Sequence, residues 1–236
     1  MRFKSPLIPA VLERRYKRFF ADVRLEDGRP MTVHVPNTGA MLGLTEPGLR
    51  VWLSQADNPN RKLSHTLELV EARTGMAGVN THLPNRLVEE AIIGGVIPEL
   101  AGYPTLRREV RYDDGSRIDL LLEAEGRLPA YVEVKNVHLA RTSGLAEFPD
   151  CRTERGLKHL GALERVVEAG GRAVMVFAIQ QAGINAFDTA DDLDAAYGPA
   201  LRRAAERGVE VLCYAAQLSP EEIVLKRRVP WRALET

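Results

Sequence analysis

The sequence predicts an α/β protein of the α+β class, in which a small β-barrel precedes a mixed sheet flanked by helices. From Arg14 to about Ala72 the chain has short strand-like segments separated by turn-forming residues, without helical periodicity. Beyond Asn85, apolar residues at helical spacing alternate with strand-like segments. A chain of 236 residues, 45% of them hydrophobic, can bury two cores. We therefore expect two domains, residues 1–80 and 81–236.

The N-terminal domain is predicted to be a closed or nearly closed barrel. Turn-forming residues such as Asp, Asn, Gly and Pro cluster at 26–29, 36–39 and 57–60. The residues between these turns favour short strands. Strands of this number and length suit a small barrel, and an OB-like barrel is the first choice. The predicted strands are 16–25, 31–35, 49–54 and 64–70.

The second domain is predicted to begin with a helix. Asn85 is a favourable N-cap, and the apolar residues after it have helical spacing up to a stop at Gly94 and Gly95. Three strands come next and should form an antiparallel meander, because short loops containing Gly115 and Gly126 separate them. The later segments alternate between helix and strand. The predicted strands are 108–112, 117–123, 130–137, 173–179 and 209–214, and the later helices are 157–167 and 193–207.

Composition limits the classes of function. No apolar run follows the N-terminus, so neither a signal peptide nor a membrane span is expected, and the predicted location is cytoplasmic. Two cysteines without zinc-ligand spacing argue against a zinc site and a disulfide framework. Lysine plus arginine equal aspartate plus glutamate at 32 each, so a surface that binds DNA must be local. A homodimer is left open.

A charged face is predicted on the three-strand meander. Glu133 and Lys135 are two residues apart and project from one face of their strand, with Val132 and Val134 on the other. If the preceding loop is centred on Gly126, Asp119 lies directly opposite Glu133, at a Cβ separation of roughly 4.5–5.5 Å. Two carboxylates that close need a proton or a cation between them, and Mg²⁺ or Mn²⁺ prefers such oxygen donors. Lys135 would then orient or activate a water for phosphodiester hydrolysis.

An ordinary structural role explains the same residues about equally well. Asp119 would pair with Arg117 or Arg108, and Glu133 and Lys135 would form a partly solvated face of the sheet. The tripeptide E-x-K is common, and so is a single aspartate on a strand.

The order of these elements resembles the PD-(D/E)xK nuclease superfamily, whose motif is an acidic residue followed by E-x-K. Here the acidic residue is Asp119, and the E-x-K motif is Glu133-Val134-Lys135. The resemblance implies a nuclease-like mixed sheet flanked by helices, with Asp119, Glu133 and Lys135 as the catalytic residues. It also implies a further metal ligand from the first helix, a role assigned to Glu90 or less favourably to Glu89, beside Asp119 and Glu133.

Longer strings are similar to the sugar fermentation stimulation protein A family. They span most of the barrel and the nuclease-like motif, which makes the similarity specific. It implies an OB-like domain joined to a nuclease-like domain, with DNA as the partner and a regulatory role in sugar (maltose) metabolism. It does not imply a demonstrated reaction. The matching strings are 15–23, 36–41, 116–120, 132–137 and 148–160.

Two groups of basic residues are predicted to contact DNA phosphates. Arg155, Lys158 and His159 lie near the N-terminus of the helix after Lys135, where backbone N–H groups also favour anions. The alternative is that they are solvated helix residues. In the barrel, the second group alternates with aromatic side chains along a predicted strand. This second group consists of Arg15, Lys17 and Arg18.

Three functions therefore compete. The first is a DNA-binding protein without strong sequence preference, whose affinity falls steeply with salt. The second is an active divalent-metal-dependent DNA nuclease. The third is a sugar-linked regulatory or scaffold protein, which the neutral net charge keeps open.

Overall fold

A computed structural model describes residues 1–58, 60–113 and 115–234 of the chain. Pro59, part of the predicted turn at 57–60, lies outside the described residues. The helices are α1 (Pro84–Ile93), α2 (Glu154–Glu168) and α3 (Tyr197–Glu206), with short 3-10 helices at Pro98–Leu100 and Arg232–Leu234. The strands are β1 (Ile8–Tyr16), β2 (Phe20–Leu25), β3 (Pro30–His34), β4 (Arg50–Gln55), β5 (His65–Ala72), β6 (Gly75–Gly78), β7 (Thr105–Asp113), β8 (Ser116–Glu123), β9 (Ala130–Val137), β10 (Leu139–Thr142), β11 (Leu145–Phe148), β12 (Arg172–Ile179), β13 (Ala186–Thr189), β14 (Glu210–Leu218) and β15 (Ile223–Arg228).

The first six strands form a barrel in the order β3-β2-β1-β4-β5-β6. The sheet closes where His34 of β3 pairs in parallel with Thr66 of β5. Alternate side chains of the strands point inward and build an apolar interior that includes Leu12, Val23 and Leu53. The predicted closed barrel is therefore confirmed.

One predicted strand of this barrel is wrong. The segment predicted as a single strand over 16–25 contains the turn between β1 and β2, since Tyr16 pairs with Phe20. Lys17 and Arg18 take left-handed backbone angles, with φ of 47° and 62°. Such angles cost about 1–3 kcal/mol for residues other than glycine, so neighbouring contacts have to hold them. The sequence contains no glycine or asparagine there to signal the turn.

The second domain is built on a sheet in the order β15-β14-β12-β9-β8-β7. The strands β7, β8 and β9 form the predicted antiparallel meander, and β12 pairs in parallel with β9 and β14. The sheet is therefore mixed, as predicted. Helix α1 packs on one face, and α2 with α3 covers the other.

The structure corrects three details of this domain. Helix α1 begins at Pro84 with Leu83 as its N-cap, so Asn85 is not the cap. A small sheet of β10, β11 and β13 was not predicted. Strand β15, which pairs with β14, was not predicted either.

The two domains share a junction. Leu7, Trp52 and Leu69 of the N-terminal domain belong to the same apolar cluster as the buried face of α1. The carboxylate of Asp150, in the loop after β11, accepts a hydrogen bond of 3.1 Å from the backbone N–H of Met41. His138 Nε2 lies 3.4 Å from the same carboxylate, at ion-pair distance. Asp150 thus joins the barrel to the second domain rather than capping α2.

The outer strand β7 is distorted at one residue. Its pairing with β8 passes from Arg108↔Leu120 to Val110↔Ile118. Glu109, between them, takes a left-handed φ of 53°. Continuing the pairing places Glu109 opposite Asp119, so the strand is strained beside the predicted acidic residue.

Within the described part of the chain, the helices are too short or too polar to cross a membrane. Both cysteines are free thiols, Cys151 exposed and Cys213 buried.

Candidate functional site

Two carboxylates lie near each other at the end of the β8–β9 pairing. These strands pair at Leu120↔Val132 and Leu121↔Tyr131, which confirms the turn centre at Gly126. The pairing ends one residue before Asp119 and Glu133, and the two carboxylates are close enough for the charge of Glu133 to act on Asp119. Glu133 is only 1% exposed and Asp119 is half-buried. Burial raises the pKa of Asp119, and the neighbouring charge of Glu133 raises it further. The pair is therefore a concentrated, poorly solvated negative site.

Asp119 is held by neutral hydrogen-bond donors rather than by an arginine. Asn85 Nδ2 donates to Oδ1 at 2.8 Å, and the backbone N–H of Val134 donates to Oδ2 at 2.8 Å. Arg108, one of the cations predicted as an ordinary partner, instead forms an ion pair with Glu89. These contacts fix the carboxylate without neutralising its charge. Asn85, predicted as the helix cap, instead orients Asp119 through its side chain.

The two oxygens of Glu133 have different surroundings. Oε1 accepts a hydrogen bond of 2.7 Å from Lys135 Nζ and also contacts His159 Nδ1. Oε2 is buried and has no hydrogen-bond partner among the described residues. Burial alone would raise the pKa of Glu133, but the His159 hydrogen bond and the charge of Lys135 outweigh it and lower the pKa. A buried carboxylate oxygen without a partner is costly, so Oε2 is a candidate cation ligand.

Helix α2 places a basic group over this site. His159 Nδ1 lies 3.1 Å from Lys135 Nζ, and Arg155 Nε donates to His159 Nε2 at 3.3 Å. Arg155 and His159 are four residues apart and share a helix face. Arg155 and Lys158 are exposed. Of the three predicted contacts on α2, His159 and Arg155 thus join the acidic site, and Lys158 lies outside that chain of contacts.

Tyr197 was not anticipated at the site. It begins α3 and is fully buried, and its hydroxyl has no hydrogen-bond partner within the described ranges. Burial raises the pKa of Tyr197 well above its usual value, and the charge of Glu133 adds to this effect. Tyr197 therefore lies close enough to Glu133 to sense its charge. Nothing local in the sequence signals this, because the two residues are on separate elements.

The structure does not bring Glu90 to the acidic pair. Its carboxylate binds the amino terminus of Met1 at 2.8 Å and Arg86 at 2.9 Å. The face of α1 that reaches Asp119 carries Asn85 and, four residues later, Glu89. In the described chain, no group of three His, Cys, Asp or Glu side chains is close enough to hold a metal ion. Asp119 and Glu133 are thus the carboxylates that fit a cation here.

The basic residues of the barrel divide into two kinds. Arg15 donates from Nη2 to the carbonyls of Arg18, Asn37 and Gly39 at 2.8–3.0 Å, which stabilises the β1–β2 turn and the loop after β3. Its predicted role in phosphate contact competes with these bonds. Lys17 and Arg18 are exposed at the tip of the turn. Arg18 is near enough to Cys151 to affect the pKa of its thiol, so the tip lies beside the loop that leads into α2.

Comparison with known proteins gives consistent results over both domains. The family model described as "SfsA N-terminal OB domain" matches residues 14–79, and "Sugar fermentation stimulation protein RE domain" matches residues 82–222. The predicted OB-like barrel is thereby confirmed.

Relatives match over nearly the whole chain. A sugar fermentation stimulation protein homolog of Rhodospirillum centenum is 58% identical over 227 residues, covering 96% of this chain and 97% of that protein. A homolog of Brucella anthropi is 55% identical over 230 residues, covering 98% and 99%. The structure titled "The structure of Pyrococcus Furiosus SfsA in complex with Ca2+" aligns with a TM-score of 0.87 and 28% identity, covering 98% of this chain and 97% of that one. This chain belongs to the sugar fermentation stimulation protein family.

Proposed function

We propose that this protein binds DNA without strong sequence preference and acts in the regulation of sugar (maltose) metabolism. The family name supports the link to sugar metabolism. The observation that supports DNA binding is that the barrel turn with its exposed cations is joined, through the loop after β3, to the loop that leads into α2: Arg15 binds the carbonyl of Gly39, and the N–H of Met41 binds Asp150. Lys17 and Arg18 of the β1–β2 turn lie beside the loop that leads to Arg155 and Lys158 of α2. Such a surface can bind phosphates despite the neutral net charge.

A second function is favoured by the acidic site next to this surface. Here the protein would be a divalent-metal-dependent DNA nuclease. The observation behind it is the unpartnered, buried Oε2 of Glu133, whose carboxylate lies near that of Asp119. Two carboxylates suit Mg²⁺ or Mn²⁺, since Mg²⁺ is often held by one or two carboxylates, waters and substrate phosphate. When bound by Asp119 and Glu133, the ion would act as a Lewis acid toward the phosphate.

The chain's own residues have distinct tasks in this reaction. Asn85 and the N–H of Val134 hold Asp119 in a fixed orientation. Lys135 Nζ, which donates to Glu133 and lies beside His159, would donate a hydrogen bond to an attacking water or a phosphate oxygen. Arg155 extends the basic contacts outward toward solvent. Each of these groups acts by orientation and charge, which accounts for much of phosphoryl-transfer catalysis.

The test uses labelled single-stranded, duplex and branched DNA with Mg²⁺, Mn²⁺ or EDTA. Wild type is compared with Glu133→Gln and Lys135→Ala, and Glu90→Gln is the matched control, because Glu90 is a carboxylate on α1 that contacts Met1 and Arg86. We expect salt-sensitive binding in all four proteins and metal-dependent cleavage only in wild type and Glu90→Gln. Tight binding without cleavage leaves the DNA-binding function alone. Absence of binding contradicts both functions.

A further inference from the structure

A second polar cavity lies at the junction of the domains, apart from the acidic pair. It has a volume of about 310 Å³. The N-terminal segment 1–5, the barrel strands β3 to β5 and the first turn of α1 enclose it. Its functional groups are a buried carboxylate with a hydroxyl and an amide, and an arginine with two imidazoles. The residues that provide them are Glu68, Ser54, Asn80, His34, Arg61 and His82. A second carboxylate, that of Asp57, also lines the cavity and pairs with Lys4.

The carboxylate of the cavity is fixed and buried. Glu68 is 5% exposed, and burial raises the pKa of its carboxyl. Ser54 Oγ donates to Oε1 at 2.6 Å, and Asn80 Nδ2 donates to Oε2 at 2.9 Å. Asn80 is itself held, since its Oδ1 accepts the backbone N–H of His82 at 3.0 Å. Burying such a polar group costs free energy, and an apolar side chain at this position would pack in the barrel at a lower cost.

Arg61 provides a positive charge at the cavity, and this charge acts on the buried carboxylate of Glu68. Arg61 is exposed and contacts His34 Nδ1 at 2.8 Å and Thr66 Oγ1 at 3.2 Å, both uncharged groups when the imidazole is neutral. In the described part of the chain no carboxylate forms an ion pair with Arg61. Burial lowers the pKa of His34, and the charges of Arg61 and His82 lower it further. The lowered pKa favours the neutral imidazole, so Arg61 is the charged donor of this group and His34 is a neutral group beside it.

We propose that this cavity binds a small phosphorylated sugar. Sugar hydroxyls donate to the Glu68 carboxylate, and the phosphate accepts hydrogen bonds from Arg61 and the neighbouring imidazoles. A volume of about 310 Å³ is at the lower end of the range for ligand pockets and suits one sugar ring with its phosphate. A nucleic-acid strand is disfavoured, because its successive phosphates would be repelled by the buried carboxylate. Free sugar phosphates and mononucleotides both combine a sugar with a phosphate, so both classes fit these groups.

The cavity is a separate site from the proposed nuclease site. Arg86 of α1 lines the cavity, whereas Asn85, the residue before it, binds Asp119. A binding experiment without DNA and without metal therefore tests the cavity alone. Its failure would leave the proposed DNA binding and cleavage untouched.

The experiment is isothermal titration calorimetry of the full chain with glucose 6-phosphate, AMP, glucose and inorganic phosphate. We expect saturable binding of glucose 6-phosphate, AMP or both, at least about tenfold tighter than glucose or phosphate alone. If only glucose 6-phosphate or only AMP binds, the result identifies whether the ligand is a free sugar phosphate or a mononucleotide. Arg61→Ala should weaken binding at least about tenfold, because it removes the charge-assisted contact to phosphate.

Two further variants complete the design. Glu68→Gln keeps the side-chain shape and removes the charge, and it should weaken binding of the sugar phosphate while sparing inorganic phosphate. Arg29→Ala removes an exposed arginine of the β2–β3 turn, which pairs with Asp27, and should change nothing. If Glu68→Gln does not fold, the exposed Arg61 still tests the site. The proposal is overturned if no ligand shows saturable binding up to about 10 mM, or if inorganic phosphate binds as tightly as glucose 6-phosphate or AMP. It is also overturned if the Arg61→Ala variant binds these ligands as tightly as wild type, or if an oligonucleotide competes for the cavity with equal affinity.

Discussion

Replacing Asp150 by Asn should weaken the junction between the two domains. Burial alone would raise the pKa of Asp150, but the neighbouring His138 and the N–H of Met41 outweigh it and hold the pKa at about 2, against an ordinary 3.8. That difference corresponds to about 2 kcal/mol of folding free energy at neutral pH. Only 15% of the side chain is exposed, so solvent screening removes little of this. For a chain of this size, the melting temperature should fall by about 4–8 °C.

The pH dependence makes the prediction specific. Because the folded-state pKa lies below the unfolded value, the ionised carboxylate stabilises the fold fully above about pH 4. This contribution is lost as the pH falls through about 2. Thermal unfolding followed by circular dichroism at neutral pH and in steps down to about pH 3 measures it. Asp27→Asn, in the exposed pair with Arg29, is the control and should melt like wild type. Equal melting of Asp150→Asn and wild type at pH 7, or a difference that stays constant into acid, would refute the reasoning.

Three further predictions concern the site and the surface. Asn85→Ala should lower the affinity for Mg²⁺ by about 10–100-fold, because Asp119 loses the donor that orients it, and a metal titration of cleavage would detect this. Arg15→Ala should lower the free energy of unfolding in urea by about 2–3 kcal/mol, because charge-assisted hydrogen bonds to backbone carbonyls are lost. Lys17→Ala, at the exposed tip of the turn, is the control and should leave the stability unchanged. Lys17→Ala and Arg18→Ala should each reduce the slope of log affinity for DNA against log salt by about 1, and unchanged slopes would remove the β1–β2 turn from the DNA surface.

Local patterns were sufficient for the meander and its register. Glycine at the centre of the β8–β9 loop sets how the strands pair, up to Leu120 and Val132. The E-x-K alternation then places Glu133 and Lys135 on one face, where the structure has them in contact. Strand periodicity is strict, so sequence alone could place these two side chains, whereas the orientation of Asp119 depends on its bonds to Asn85 and Val134.

Other parts of the site depended on information that is not local. Successive residues of a helix are rotated by about 100°, so the side chains of Glu89 and Glu90 point in different directions. A small error in predicting which face of α1 meets the sheet therefore assigns the wrong glutamate to the site. His159 contacts Glu133 from α2, and Tyr197 of α3 lies near enough for the charge of Glu133 to raise its pKa; both are far along the chain. The turn at Lys17 and Arg18 is stabilised by the distant loop that Arg15 binds, which overrides the local preference for a strand.

The strained residue Glu109 has a consequence for association between molecules. Strand β7 is the outer strand of its sheet, and an outer strand exposes backbone donors and acceptors that another chain can pair with. A left-handed residue in the middle of β7 interrupts the regular spacing of those groups. A second copy therefore finds no continuous strand to extend, and the sheet is protected from the edge-to-edge growth that leads to aggregation. The same backbone angle that strains β7 beside Asp119 therefore also limits how β7 can pair with another chain.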